Sequence, residues 1–424
     1  MSEVEASAAG SAWGGPQMRP VSFIGGDKEF WQIVLRGAAL LMVTLGLYRF
    51  WLVTDIRRFL WSNTIVDGDS LEYTGTAIEL LRGFLVAIAL LLPVYTIFVI
   101  TVLDLGPFGG LLSASAFILL AFASQYGIYL ARRYRLTRTV YRGLRFHQTG
   151  SGLRYAICAM WWWTWTILTL GMIYPFTRAA LERFKMRHTY YGDLPGSFEA
   201  SGWQLFIRGV LMWLIVLIPL LGALIMLASI DWPAVSAAMR GGGNVIARLD
   251  RASPGFTAAI GGAIVFVAIS LVLIAILLPV FHAIIVRWWI SGLRFGGLSA
   301  QSHLRIRDVY AVYLRFLASL LLFSAAVLAF IFAALVGYGL TFGQQQSQLS
   351  ELFIVLTAVG TYVVSALGLM ALYQSVVTLS VWRLAAASLE LQGDSAILAR
   401  VNASGVASSP LGEGIADVLN IGGI

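Results

Sequence analysis

The sequence predicts an all-α polytopic membrane protein with short β elements at the membrane surface, on three observations. Of its 424 residues, 59% are hydrophobic and 12% charged, against roughly 45–50% and 25% in soluble domains. Mean hydropathy is +0.81. Six apolar stretches, 84–103, 111–130, 205–229, 258–286, 316–337 and 352–380, reach the roughly 20 residues with which a helix crosses a bilayer core. Third, a set of motifs recurs at a spacing of 125 residues. The apolar runs are continuous rather than alternating over about 10 residues, which excludes barrel strands.

Taken in order, residues 1–20 are rich in Gly, Ala and Ser, carry Glu3 and Glu5, and have no apolar core. They read as a disordered tail, not a signal peptide. Segment 21–145 reads as a first membrane repeat, 146–290 as a second, 291–400 as a third, partial repeat with two transmembrane helices, and 401–424 as a C-terminal tail. The duplication rests on pairs in one register: Thr44-Leu45-Gly46 with Thr169-Leu170-Gly171, Arg58-Phe59 with Arg183-Phe184, Thr64 with Thr189, and Glu79 with Gln204. Arg82-Gly83 recurs as Arg208-Gly209 with one residue of slip. So many matches in register imply two copies of one unit.

A smaller signature recurs more often: a basic residue beside an aromatic at the end of an apolar run, then a Gly turn about ten residues on. It stands at Arg58-Phe59 with Asp67-Gly68, Arg133-Tyr134 with Gly143, Arg183-Phe184 with Gly192-Asp193, Arg287-Trp288 with Gly297, and Trp382-Arg383 with Gly393. Short alternating stretches bounded by glycine follow, such as Leu71 to Gly75, and Phe23-Ile24-Gly25 resembles one that opens the first copy. These predict short strands between the helices, pairing with one another.

Segment 132–154 carries seven Arg and no acid, and 57–82, 178–208 and 287–307 are also Arg-bearing; 103–110 hold only Asp104, and loop 231–255 is mixed, with Arg240 among its bases. Cytoplasmic loops are the basic ones, so every signature loop is expected in the cytoplasm. Segments 31–56 and 155–181 each lie between two such loops, where a single span would break parity. Each is therefore expected to be a re-entrant or interfacial helical hairpin turning at Thr-Leu-Gly, with Gly permitting the turn. That gives six full spans, two hairpins and both termini in the cytoplasm; the alternative is eight transmembrane helices.

The string from Phe23-Ile24-Gly25 through Thr44-Leu45-Gly46-Leu47-Tyr48, Phe50-Trp51 and Arg57-Arg58-Phe59 to Asp67-Gly68 and Tyr73-Thr74-Gly75 resembles the YjgN family. That is a bacterial inner-membrane family of unknown function. The second copy is a looser match, and the resemblance covers most of residues 21–400. It implies an inner-membrane location and brings no activity and no catalytic residues.

Motifs for enzyme chemistry are lacking: no phosphate-binding loop, His-Glu-x-x-His or Gly-x-Ser-x-Gly occurs. No enzyme and no cofactor are expected. Gly241-Gly242-Gly243 reads as linker, and His147, His188, His282 and His303 lack ligand spacing. One cysteine, Cys158, excludes an intrachain disulfide and any two-cysteine metal site. Net charge is +8, carried mostly by loop Arg, so the expected partner is the bilayer, with its anionic lipids, and not nucleic acid. Trp161, Trp162, Trp163 and Trp165 read as an interfacial anchor.

The candidate ligand-binding residues are Arg58, Arg133, Arg183 and Arg287, each beside an aromatic; they read either as orientation anchors or as sites for anionic headgroups or solutes. Ionisable residues near the membrane form a second set: Arg49, Asp55, Glu79, Arg82 and Arg208, with Asp55 placed to pair with Arg58 or Arg49. Two functional readings stand: transport or handling of a small solute or anionic lipid between the repeats, or a structural envelope protein docking partners through its β elements.

Overall fold

The computed structural model describes residues 19–103, 109–239, 245–343, 347–393, 396–405 and 408–419. The N-terminal tail up to residue 18, Asp104, Arg240 and Gly241-Gly242-Gly243 lie outside the described residues. Contacts divide the chain into two units: Met1–Ser201 with Val286–Ile424, and Gly202–Ile285.

The first unit opens with two-residue strands β1 (Arg19–Pro20) and β2 (Ser22–Phe23). Then come a short helix pair, α1 (Asp27–Val43) and α2 (Arg49–Ser62), a hairpin, β3 (Thr64–Val66) and β4 (Asp69–Tyr73), and a long pair, α3 (Ala77–Leu103) and α4 (Gly109–Arg138). The order repeats with β5 (Thr139–Tyr141) and β6 (Leu144–Gln148), the short pair α5 (Gly152–Leu168) and α6 (Tyr174–Arg187), and β7 (Thr189–Tyr191) with β8 (Leu194–Phe198). The second unit holds α7 (Gly202–Ala228), two short helices, α8 (Trp232–Ala238) and α9 (Val245–Ala252), and most of α10 (Phe256–Gly292). The first unit resumes with β9 (Leu293–Phe295), β10 (Leu298–Ser302), α11 (Ile306–Phe342) and α12 (Gln348–Leu372). A π-helical turn, Tyr373–Thr378, leads into α13 (Leu379–Ala387), β11 (Leu389–Gln392), α14 (Ala396–Ala399) and α15 (Leu411–Val418).

Six helices are long and apolar enough to cross a membrane: α3, α4, α7, α10, α11 and the continuous run Gln348–Ala387. All six fall on the predicted stretches; few of their side chains are buried, and many, such as Leu90, Leu119, Leu321 and Leu356, are exposed. Apolar surface on this scale has lipid, not water, as its solvent. The chain is an all-α polytopic membrane protein with short strands between its helices.

The strands form one eleven-stranded sheet in the order β1-β11-β10-β9-β8-β7-β6-β5-β4-β3-β2. Its two ends belong to one five-residue stretch: Arg19 pairs with Leu391, and Ser22 with Ile65. The ribbon of antiparallel hairpins therefore comes back on itself as a ring, leaving no open edge. Local chemistry makes the hairpins. Thr64-Ile65-Val66 is β-branched throughout. Its turn, Asp67-Gly68, has φ of +49° and +86°, and Arg142-Gly143 has +48° and +77°. Both positive values suit the two-residue turn that matches strand twist.

Each short pair reverses direction at its Thr-Leu-Gly. Leu45 and Gly46 have φ of +49° and +93°, and Leu170 and Gly171 have +50° and +89°. Thr44 Oγ1 donates to the Leu40 carbonyl and accepts from the Tyr48 amide. Thr169 does the same with Trp165 and Ile173. Every bound of α1, α2, β3, β4 and α3 lies 125 residues before the matching bound of α5, α6, β7, β8 and α7. Within the first unit, Phe30, Val34, Leu52, Ile56, Leu60 and Trp61 form a core with Leu379 of α13. Trp61 and Trp382 lie 5.0 Å apart there. A second cluster joins Tyr129, Tyr155, Ala159 and Leu181.

Candidate functional site

Two of the recurrent arginines, 125 residues apart, are placed alike. Arg58 is exposed and donates to the Gly75 carbonyl at 3.1 Å; Arg183, its counterpart, donates to the Ala200 carbonyl at 3.3 Å. Each braces the link from a strand into the next long helix. Arg133 lies half-buried on α4, within Coulomb reach of Tyr129 and His147, and Arg287 half-buried near the end of α10. Asp55 pairs with Arg36 at 3.2 Å rather than with Arg58 or Arg49, because the antiparallel α1 and α2 bring those two faces together. Glu79 accepts from Tyr134 and Arg138, each at 2.7 Å. Arg82 and Arg208 are exposed near the starts of α3 and α7, where a long side chain reaches the interface.

Of the residues singled out from the sequence, only Arg49 belongs to the charges that converge; the others are new. Arg57 of α2 is 2% exposed; it donates to the Tyr73 hydroxyl at 3.2 Å and is ion-paired with Glu413 of α15. Arg135 of α4 lies 3.8 Å from the same Glu413, which is 6% exposed. One turn along α15, Asp417 pairs with Arg49, whose guanidinium lies 5.7 Å from the ring centres of Phe50 and Phe84. A second node is Glu182 of α6, at 2.6 Å from Lys185, 3.7 Å from Arg132 and 3.9 Å from Arg178, and accepting from Trp289 at 3.2 Å. Arg132 and Arg57 both lie within Coulomb reach of Arg135, so the two nodes make one network.

Electrostatics follows from burial. Burial raises the cost of the Glu182 charge, but Lys185 and Arg132 outweigh it and hold the carboxyl below its ordinary range. Burial also pushes Lys185 down to about 8, against the pull of Glu182. For Arg57 the burial cost is overcome by Glu413 and Tyr73, which hold it above its ordinary value. Asp417 is pushed up by burial despite Arg49. Among the described residues, Arg57 Nε, Glu413 Oε2 and Asp417 Oδ2 are buried without a hydrogen bond.

Of the nine charges in this network, six are cations: Arg49, Arg57, Arg132, Arg135, Arg178 and Lys185. Only one of the three acids, Glu182, comes from the helices that hold those cations. Glu413 and Asp417 arrive on the C-terminal segment. Planar forks of Arg donors suit carboxylate and phosphate oxygens, and here they face the carboxylates of Glu413 and Asp417. No group of three or more His, Cys, Asp or Glu among the described residues is arranged to hold a metal ion.

Sequence reasoning missed this cluster because it weighted residues that recur. Arg57 and Glu182 stand 125 residues apart, at corresponding positions of α2 and α6, but with opposite charge. The signal was present in Arg178, Glu182 and Lys185, whose spacing puts three charges on one stripe of a helix.

No curated protein and no solved structure matches the chain. Over residues 18–418, covering every element above, it matches the model of a family described as bacterial protein of unknown function, DUF898. YjgN-like proteins are that same family, so the chain belongs to it, as the motifs of the first copy suggested.

Proposed function

We propose that this is a bacterial inner-membrane protein that binds an oxyanion, on a lipid headgroup or a small solute, where its helices meet the strand ring on the cytoplasmic side. In this reading it arose by duplication, and it has six full spans, two re-entrant hairpins and both termini in the cytoplasm. Two features support the topology. Strands before and after each short pair belong to one sheet, which a single crossing by that pair would separate. The hairpin tips are apolar and exposed, with Val43, Leu45 and Leu47 in one copy and Ile167, Leu168 and Leu170 in the other, as a dip into lipid requires. The recurrent Arg58, Arg133, Arg183 and Arg287 supply cytoplasmic positive charge. No catalysis is part of this reading.

The observation that carries the function is a network of six cations, with Arg57 and Lys185 buried and the other four half-buried, for which the surrounding helices supply one carboxylate. Buried charge at that imbalance is costly unless an anion answers it, and basic pockets between helices on this side bind anionic headgroups. Titration of the full-length protein with short-chain phosphatidylglycerol and with inorganic phosphate, followed by native mass spectrometry, tests it. Binding is expected to weaken at least about tenfold in Arg57→Gln/Arg135→Gln, the loss of two charge-assisted contacts. It is expected to persist in Arg58→Gln/Arg183→Gln. Equal binding in all three proteins would turn the assignment toward a docking role for the β ring.

A further inference from the structure

The C-terminal segment takes a course that its own stability does not explain. Ile397 lies against Gly297 in the β9–β10 turn. Asn402 donates through its amide and side chain to Asp193 in the β7–β8 turn, at 3.1 and 3.0 Å, and Ser404 donates to the Gly192 carbonyl. Gly405 is flush against His147 of β6, and Ser408 meets Thr137 at the end of α4, oxygen to oxygen at 2.9 Å. The chain then enters as α15, eight residues long. A helix this short is not stable alone in water; it is helical because it is docked.

Two features of α15 hold it there. Small residues allow backbone contact: a Cβ on Gly414 would run into the backbone of Gly83 on α3, and one on Gly412 into Leu130 and Ala131 on α4. Likewise Gly127 of α4 has room only for Ile415. Glu413 and Asp417, four residues apart and so on one face, present carboxylates to Arg57, Arg135 and Arg49. Three cations face two acids, and their hydrogen-bonding groups are not all used: the Arg57 Nε donor and one acceptor oxygen of each acid stay buried without a hydrogen bond among the described residues. A phosphate, with more oxygens arranged around one atom, can engage more of these forks than two separate carboxylates do.

We propose that the C-terminal segment is a built-in occupant of the anion site, with Glu413 and Asp417 standing where a phosphate-bearing ligand binds, so that ligand and segment exclude one another. This rests on the reading of the arginine cluster as an anion site. If α15 left with nothing in its place, Arg49 and Arg57 would lose Asp417 and Glu413, the acids they pair with, so exit is coupled to arrival of an anion. The segment is an order–disorder element biased by differential binding. Its exposed stretch, Asn402 to Gly405, is the part that can peel from the ring first.

The test uses the full chain with Cys158→Ala. Thr137→Cys/Ser408→Cys creates a lock that oxidation closes and reduction opens, leaving the arginines and both acids in place. Inorganic phosphate and phosphatidylglycerol in nanodiscs are the probes, against phosphatidylcholine nanodiscs. Closing the lock is expected to weaken binding at least about tenfold, with recovery on reduction. Gly414→Leu, which blocks docking against Gly83, and Glu413→Gln/Asp417→Asn, which keeps the packing, are each expected to tighten it. Ligand should also raise hydrogen exchange in residues 411–418. A response to phosphate alone identifies a soluble ligand, and a response only to phosphatidylglycerol identifies a lipid. Equal affinity with the lock open and closed, together with loss in Arg57→Gln/Arg135→Gln, would overturn the proposal and leave the anion site standing. Absence of binding in every form, Gly414→Leu included, would instead remove the anion site itself.

Discussion

Arg57 and Glu182 stand 125 residues apart, at corresponding positions of α2 and α6, both buried and opposite in charge. A buried ion pair adds little net stability, but removing one partner strands the other, at about 3–5 kcal/mol. Arg57→Met is therefore expected to lower the unfolding free energy in detergent by an amount of that order. Adding Glu413→Leu should recover part of the loss, because it removes the stranded carboxylate, while Arg135 loses that acid as well. Additive losses in the double variant would show that the two side chains do not act as a pair. At the ring, Asn402 donates twice to Asp193 and holds that carboxyl below its ordinary 3.8. A depressed folded value means that the contact is fully present above the ordinary value and is lost as pH falls through the lower one. Protease protection near Asn402 should thus be flat above about pH 4 and fall below it, and Asp193→Asn should flatten that dependence. These residues were hard to read from sequence because a buried charge and a surface one look alike until the neighbours are known, and both acids that answer Arg57 and Arg49 lie more than 350 residues away.

At the scale of elements, the two Thr-Leu-Gly turns were legible because each step of the turn has a local cause. Gly46 and Gly171 take φ of +93° and +89°, which a side chain resists by roughly 1–2 kcal/mol. Gly46→Val is expected to destabilise by about that much, and Gly171→Val likewise, measured by unfolding. A neutral result at both would argue against the tight reversal. The strands were legible too, from alternation bounded by glycine. Their closure into a ring was not: β1 finds β11 about 370 residues on, and no local pattern encodes such a partner. Helix α15 was missed for another reason. Gly412 and Gly414 give it poor intrinsic propensity, so nothing short of its packing against α3 and α4 makes it a helix.

At the scale of the whole molecule, hydropathy set the six long helices, because length and apolarity suffice to place a span. The side on which each connection lies is the less direct inference, made from arginine bias and from shared membership of the strand ring. It is also the claim on which the rest depends, since a site at the ring needs every hairpin on one face. Membrane-impermeant maleimide, applied to single-cysteine variants in Cys158→Ala, tests it most directly. Asp69→Cys, Arg145→Cys, Ser197→Cys and Gln301→Cys place exposed thiols on β4, β6, β8 and β10, and Gln348→Cys places one at the far end of α12. The account predicts that the four ring thiols react only from the cytoplasm and the Gln348→Cys thiol only from outside. Eight spans would instead split the ring thiols, with those at 69 and 145 on one side and those at 197 and 301 on the other, and that result would contradict it.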